Sequence, residues 1–215
     1  MLHPISILSD KIKIFLISEG FSFFNSSEVV TTIASFDNVN VSNVNTVKDM
    51  IRTLYIDDLN ILRGHLTAER NIIIDYDSAK FANAIIGKVY RNCKEDAGHT
   101  LLSHQCEGLT NIYENNILGY SNFLNKIYYS IFNTVNGFIN IPSFTTYASP
   151  AIISYLICHN CYDTGCSFCG GTGKLTFAEG GIIKIKGKKL LSFCLSIDRL
   201  ALKLYNLSDS RKLYI

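Results

Sequence analysis

A chain of 215 residues that is 47% hydrophobic and 18% charged has ample apolar material for a buried core and is not a disordered polyelectrolyte. No window of about 18 uninterrupted apolar residues occurs, which argues against a membrane span. The apolar run Ile14–Ile17 is flanked by Lys11, Lys13 and Glu19 and lacks a small-residue cleavage site, so no secretory leader is expected.

Seven cysteines in such a chain favour reduced thiols and metal binding over disulfides, with the cytoplasm as the expected compartment. The formal net charge of +2 hides an asymmetry. Residues 1–169 carry 11 Lys/Arg against 15 Asp/Glu (−4), and residues 170–215 carry 9 against 3 (+6). A basic tail on a mildly acidic body points to an anionic partner for the tail, or to a solvated basic face.

In chain order, Ile5 to Ser18 is dense enough in apolar residues for a buried helix or strand, and periodicity does not choose between them. Ser22 to Asn45 is rich in Ser, Thr, Asn and Val and reads as short strands or irregular structure. Met50, Leu54, Leu59, Leu62 and Leu66 recur at roughly helical spacing and predict a helix from about Val47 to Leu66, capped by Asn45 or Thr46. A second predicted helix places Phe81, Ile85, Val89 and Tyr90 on one face. Further helices are predicted over Leu101–Asn115 and Tyr120–Asn136. Pro142 and Pro150 mark a connection, from which Ala151–Ile157 leads into a cysteine cluster. Beyond it, Lys174–Phe177 and Ile182–Ile185 read as a hairpin turning at Gly180-Gly181, and Lys189–Tyr205 as a closing helix. The expected fold is mainly α (α+β overall). A helical body over residues 1–150 precedes a module over 151–215, made of zinc knuckles, a short β-hairpin and a C-terminal helix.

The cluster consists of two contiguous copies of an octapeptide, C-x-x-C-x-[DG]-T-G, with cysteines at Cys158, Cys161, Cys166 and Cys169. Two cysteines three apart can aim both thiolates at one ion, and glycines permit the positive φ that such turns need. Two such knuckles complete a tetrahedral four-thiolate shell. A closed shell of this kind is structural, because no position is left for water. One structural zinc ion is therefore expected. His159, inside the first knuckle, reads as a neighbour of the site rather than a ligand.

The units CHNCYDTG and CSFCGGTGK resemble the C-x-x-C-x-G-x-G knuckles of the DnaJ-type J-protein zinc domain and the zinc motif of late-gene antitermination (Q) proteins of lambda-like phages. The likeness spans about 16 residues, without the longer insert usual between paired knuckles and with Asp163 in place of the first glycine. The J-domain tripeptide His-Pro-Asp is absent, since His3-Pro4 is followed by Ile5. The phage resemblance implies a zinc motif beside a basic, helical region in a transcription factor.

Other constellations carry less. Cys93, His99, His104 and Cys106 form a second conceivable ligand set whose spacings match no standard zinc pattern. Tyr55-Ile56-Asp57-Asp58 matches the Y-x-D-D of reverse transcriptases but lacks the preceding length a polymerase palm requires. Gly170–Lys174 fails the phosphate-loop pattern, with Phe168 at the first glycine position and Leu175 at the last. No nucleophile–base set stands out, so no enzyme is expected. Lys184, Lys186, Lys188, Lys189, Arg199 and Lys203 are the candidate phosphate contacts, with Arg199 and Lys203 on one helical face. The sequence therefore reads as a zinc-stabilised regulator contacting nucleic acid, DNA foremost, and RNA polymerase, in its most concrete form a phage-type antiterminator. The rival reading is a zinc-knuckle protein-interaction module, chaperone-like or structural.

Overall fold

The computed structural model describes residues 3–36, 52–69, 79–135, 137–145, 148–185 and 187–214. Ile5, Leu8, Ile12 and Leu16, at helical spacing, are the buried face of α1 (Pro4–Ser18). Pro4 sits where a helix needs no N–H donor, and the His3 ring accepts from the Ile5 N–H at 3.2 Å. Two short strands, β1 (Ser22–Phe23) and β2 (Val29–Thr31), and a brief helix α2 (Thr32–Phe36) follow.

The segment expected to be a helix to Leu66 is instead a hairpin, β3 (Leu54–Tyr55) and β4 (Asn60–Leu62). Its expected first turn, 47–51, lies outside the described residues. Asp57 decides the matter locally: its Oδ1 accepts from the Leu59 and Asn60 N–H groups, both at 2.8 Å, and closes the turn. The Tyr55–Asp58 tetrapeptide is thus a turn on a small β2-β4-β3 sheet.

Two more predicted helices are strands, β5 (Ala82–Tyr90) and β6 (Leu102–Thr110). The predicted helix after them exists as α3 (Ile117–Phe132). Asn116 caps its start by accepting from the Gly119 N–H at 2.7 Å, and Asn133 ends it in the left-handed region at φ 54°. Then come β7 (Phe138–Ser143) and β8 (Ala151–Ile157). The anticipated hairpin at Gly180-Gly181 is one continuous strand, β9 (Lys174–Ile185). The anticipated closing helix is divided into β10 (Lys188–Ser196) and α4 (Ile197–Leu204).

The main sheet runs β1-β5-β6-β10-β9-β8-β7, antiparallel except for the β1–β5 pair. The chain is therefore mixed α/β around a seven-stranded sheet, and the mainly helical expectation is corrected. β10 lies between β6 and β9, so this one sheet includes strands from both sides of residue 150. Helices α1, α3 and α4 cover one face, where Phe21, Phe123, Phe177, Phe193, Leu195 and Leu200 are buried. Among the described residues no helix is long and apolar enough to cross a membrane.

Candidate active-site face and cysteine cluster

Side chains alternate across a strand, so the register decides which residues share a face. One cross-strand row, Ala84–Gly108–Phe193–Gly180–Ile152, is on the helix-covered face. The next row, Ile85–Glu107–Cys194–Glu179–Ile153, points the opposite way. Flanking it on that face are Gly87 and Gln105 on one side, and Asn83, Leu109, Ser192 and Gly181 on the other.

The sheet thus presents a polar floor built from three strands. Glu107 is 1% exposed, and its Oε2 accepts from the Thr67 hydroxyl at 2.8 Å. Burial, with Glu107 and Glu179 on the two neighbouring strands, pushes the Cys194 thiol well above its usual range. Gln105 Oε1 is buried and has no hydrogen-bond partner among the described residues. Arg91, exposed just past the end of β5, is close enough to offset part of the acidic field at Cys194. Buried Arg63 anchors the small sheet over this end of the floor, donating to the Lys88 carbonyl at 2.8 Å and the Ser27 carbonyl at 2.9 Å. A buried carboxylate, a second carboxylate and an unpaired amide oxygen suit a ligand rich in N–H donors, such as an ammonium group. An arginine at the rim suits a phosphate or carboxylate. None of these residues stood out in sequence, because they come from strands far apart along the chain.

The four cysteines converge as expected. Their sulfurs all lie within 4.8 Å of one another. The two octapeptides are conformational copies: φ is 49° at Tyr162 and 60° at Gly170, 75° at Asp163 and 78° at Gly171, 91° at Gly165 and 70° at Gly173. Asp163 thus takes the left-handed conformation that glycine takes in the second copy, with Lys174 paired to its carboxylate at 2.9 Å. The missing spacer is accommodated by close approach. A β-carbon on Gly165 would lie 2.5 Å from the Gly171 carbonyl oxygen, and one on Gly173 2.6 Å from that of Asp163. Burial by itself raises the Cys169 thiol, but the Cys166 and Gly173 N–H groups, each 3.2 Å from its sulfur, bring it down to about 6.

The second set does not assemble. Cys106 is buried on the helix-covered face, Cys93 donates to the Thr100 carbonyl, His99 contacts Asp96, and His104 stacks on Tyr214. Of the candidate phosphate contacts, Lys184 and Lys189 are exposed opposite one another on β9 and β10, and Lys188 is half-buried. Lys186 lies outside the described residues. Arg199 and Lys203 turn toward the protein, donating to the carbonyls of Gly98 and Ile157.

The chain matches the family model described as "tRNA synthetases class II core domain (F)" over residues 1–215. It is 26% identical over 230 residues to the phenylalanine–tRNA ligase alpha subunit of Lactobacillus johnsonii, covering 99% of this chain and 64% of that protein. It is 26% identical over 226 residues to the corresponding subunit of Desulfosudis oleivorans, covering 99% of this chain and 66% of that protein. The chain thus spans somewhat less than two thirds of the length of these relatives. The pyrrolysyl-tRNA synthetase of Desulfitobacterium hafniense superposes with a TM-score of 0.71 over 99% of this chain and 73% of its own, at 12% identity, and so shares the fold. These findings overturn the reading as a zinc-dependent DNA-binding antiterminator and the expectation that no enzyme is encoded. With the match running the full 215 residues, the chain belongs to the class II tRNA synthetase core-domain family.

Proposed function

We propose that this chain is the catalytic core of an aminoacyl-tRNA ligase, with phenylalanine as its amino acid and tRNA as its nucleic-acid partner in place of DNA and RNA polymerase. The observation that carries the reading is the full-length family match laid over a sheet whose face opposite the helices bears Gln105, Glu107, Glu179 and, at its rim, Arg91. The ligase reaction joins an amino-acid carboxyl to a ribose hydroxyl, which requires the carboxyl to be activated by a nucleotide phosphate first. Acceptors on the floor would hold the substrate ammonium, and Arg91 would balance charge on the phosphate. The relatives are named as alpha subunits, so a second, beta-type subunit is the proposed protein partner.

The test is amino-acid-dependent exchange of pyrophosphate into ATP, run on the chain together with its companion subunit. Phenylalanine should support exchange, and Glu107→Gln should raise the KM for the amino acid without unfolding the protein. Exchange with none of the standard amino acids overturns the reading. Exchange with a different amino acid overturns only the specificity.

A further inference from the structure

We propose that Cys158, Cys161, Cys166 and Cys169 hold one zinc ion in a closed four-thiolate shell, and that this ion braces the 95–99 turn and the C-terminal segment against α4. The site lies outside the candidate active-site face and does not depend on the ligase reading.

The sulfur geometry is the first support. Tetrahedral zinc–thiolate bonds of about 2.3 Å place neighbouring sulfurs about 3.8 Å apart. The observed separations are 3.7 Å for Cys161–Cys169, 3.7 Å for Cys166–Cys169 and 4.0 Å for Cys158–Cys166. A disulfide needs about 2.05 Å. The same sulfurs are too close together to surround a multi-iron cluster, whose cysteine ligands bind separate iron atoms. Four soft thiolates with no open coordination position match structural zinc.

The second support is the pair of backbone copies. Thr164 and Thr172 each donate back to the carbonyl of the second cysteine of their own unit, at 2.6 and 2.7 Å. Asn160 Nδ2 and the N–H groups of Cys166 and Gly173 point at sulfur atoms. Such donors stabilise the negative charge of bound thiolates.

The bracing follows from what the knuckles touch. Phe168, 3% exposed, sits between the two cysteines of the second unit, and its carbonyl abuts Gly98. Arg199 of α4 donates to the Gly98 carbonyl, and the Ser210 N–H to the Ala97 carbonyl at 2.8 Å. His159, edge-on to Phe168, meets the Leu207 carbonyl at 2.9 Å through Nε2. The turn at Gly98 and the segment at Leu207 therefore meet the cysteine loop directly, and Arg199 and Ser210 tie that turn to α4 and the C-terminal segment. That loop contains no long helix or strand to stiffen it, so the ion would supply its rigidity.

The experiment is elemental analysis of the full chain purified under reducing conditions, paired with amide hydrogen exchange before and after treatment with a strong chelator. The expected result is one zinc per chain, a cobalt-substituted form with thiolate-to-metal charge-transfer absorption, and loss of the metal in Cys161→Ser and Cys169→Ser. Chelation of the wild-type chain, which needs no folded variant, should speed exchange in residues 95–101 and 207–214 more than in β6 and β10. Iron in place of zinc, substoichiometric metal, or a serine variant that keeps a full zinc overturns the assignment. A full zinc whose removal leaves exchange at 95–101 and 207–214 unchanged overturns the bracing.

Discussion

Gly98 and Phe168 approach so closely that a β-carbon on residue 98 would sit 2.8 Å from the Phe168 carbonyl oxygen. That oxygen belongs to the backbone of the second cysteine unit, which cannot rotate aside as a side-chain tip could. Gly98→Ala is therefore expected to cost about 1–3 kcal/mol, the usual range for an added group in a tight contact. Urea unfolding would measure the loss. On the proposed four-thiolate assignment, zinc content should be unchanged in this variant, since none of the four cysteines is altered. A variant as stable as the parent would show that the two loops are not in firm contact.

Phe193 fills the space between the sheet and the helices, with its ring 4.8 Å from Phe123 and 5.7 Å from Phe21, centroid to centroid. It is fully buried, and Gly108 opposite it is required because a β-carbon there would lie 2.5 Å from the ring. Phe193→Ala should destabilise the chain by about 3–5 kcal/mol through lost burial and the cavity left behind. Chemical denaturation followed by circular dichroism reads this directly, and a loss below 1 kcal/mol would contradict the packing described.

Asp198, at the first turn of α4, accepts from the His104 N–H at 2.5 Å and from the Tyr214 hydroxyl, tying β6 and the C-terminal segment to one carboxylate. It is 5% exposed. Burial, followed by the neighbouring Asp198 charge, pushes the Tyr214 phenol up. Removing the phenol in Tyr214→Phe deletes one charge-assisted bond, worth about 1.5–3 kcal/mol. Asp198→Ala should cost more, because it strands two donors. A double-mutant cycle should show coupling between the two sites, and strict additivity would argue that the bond contributes nothing.

Glu19 follows the end of α1, where its Oε2 accepts from Lys126 of α3 at 2.7 Å and from the Tyr113 hydroxyl. Burial opposes ionisation, but Lys126 and Tyr113 outweigh it and hold the carboxyl below its usual range. A carboxyl with a depressed folded-state pKa stabilises above the unfolded value, near 4.3, and loses that contribution as pH falls through the folded value. The stability difference between the parent and Glu19→Gln should accordingly be present at pH 7 and shrink on acidification below about pH 4. Thermal melts of both proteins across that range supply the measurement; a difference that grows toward low pH would reverse the sign.

The sequence by itself determined the local features. The two cysteine octapeptides carry their own turn chemistry, and the stretch that became α3 has its apolar residues repeating at a helical period. Both readings survive in the structure because neighbours along the chain suffice to specify them. Phe81, Ile85 and Val89 show why other segments did not. A spacing of four residues is close to one helical turn, and, being even, it also keeps side chains on one face of a strand. β5, β6 and β10 lie inside the sheet with both faces partly buried, which erases the alternation that marks a half-exposed strand. In β9, Gly180 and Gly181 look like a turn. The tertiary structure explains them: added β-carbons would lie 2.1 Å from the Ser192 carbonyl oxygen and 2.2 Å from that of Pro150, so close backbone contact requires glycine within a continuous strand. The polar floor was the least legible feature. Gln105, Glu107, Glu179 and Cys194 are ordinary residues where they stand in the chain, and only the register of β6, β10 and β9 turns them toward the same face. Local chemistry wrote the paired cysteine turns, whereas long-range strand pairing decided the fold and the candidate active site.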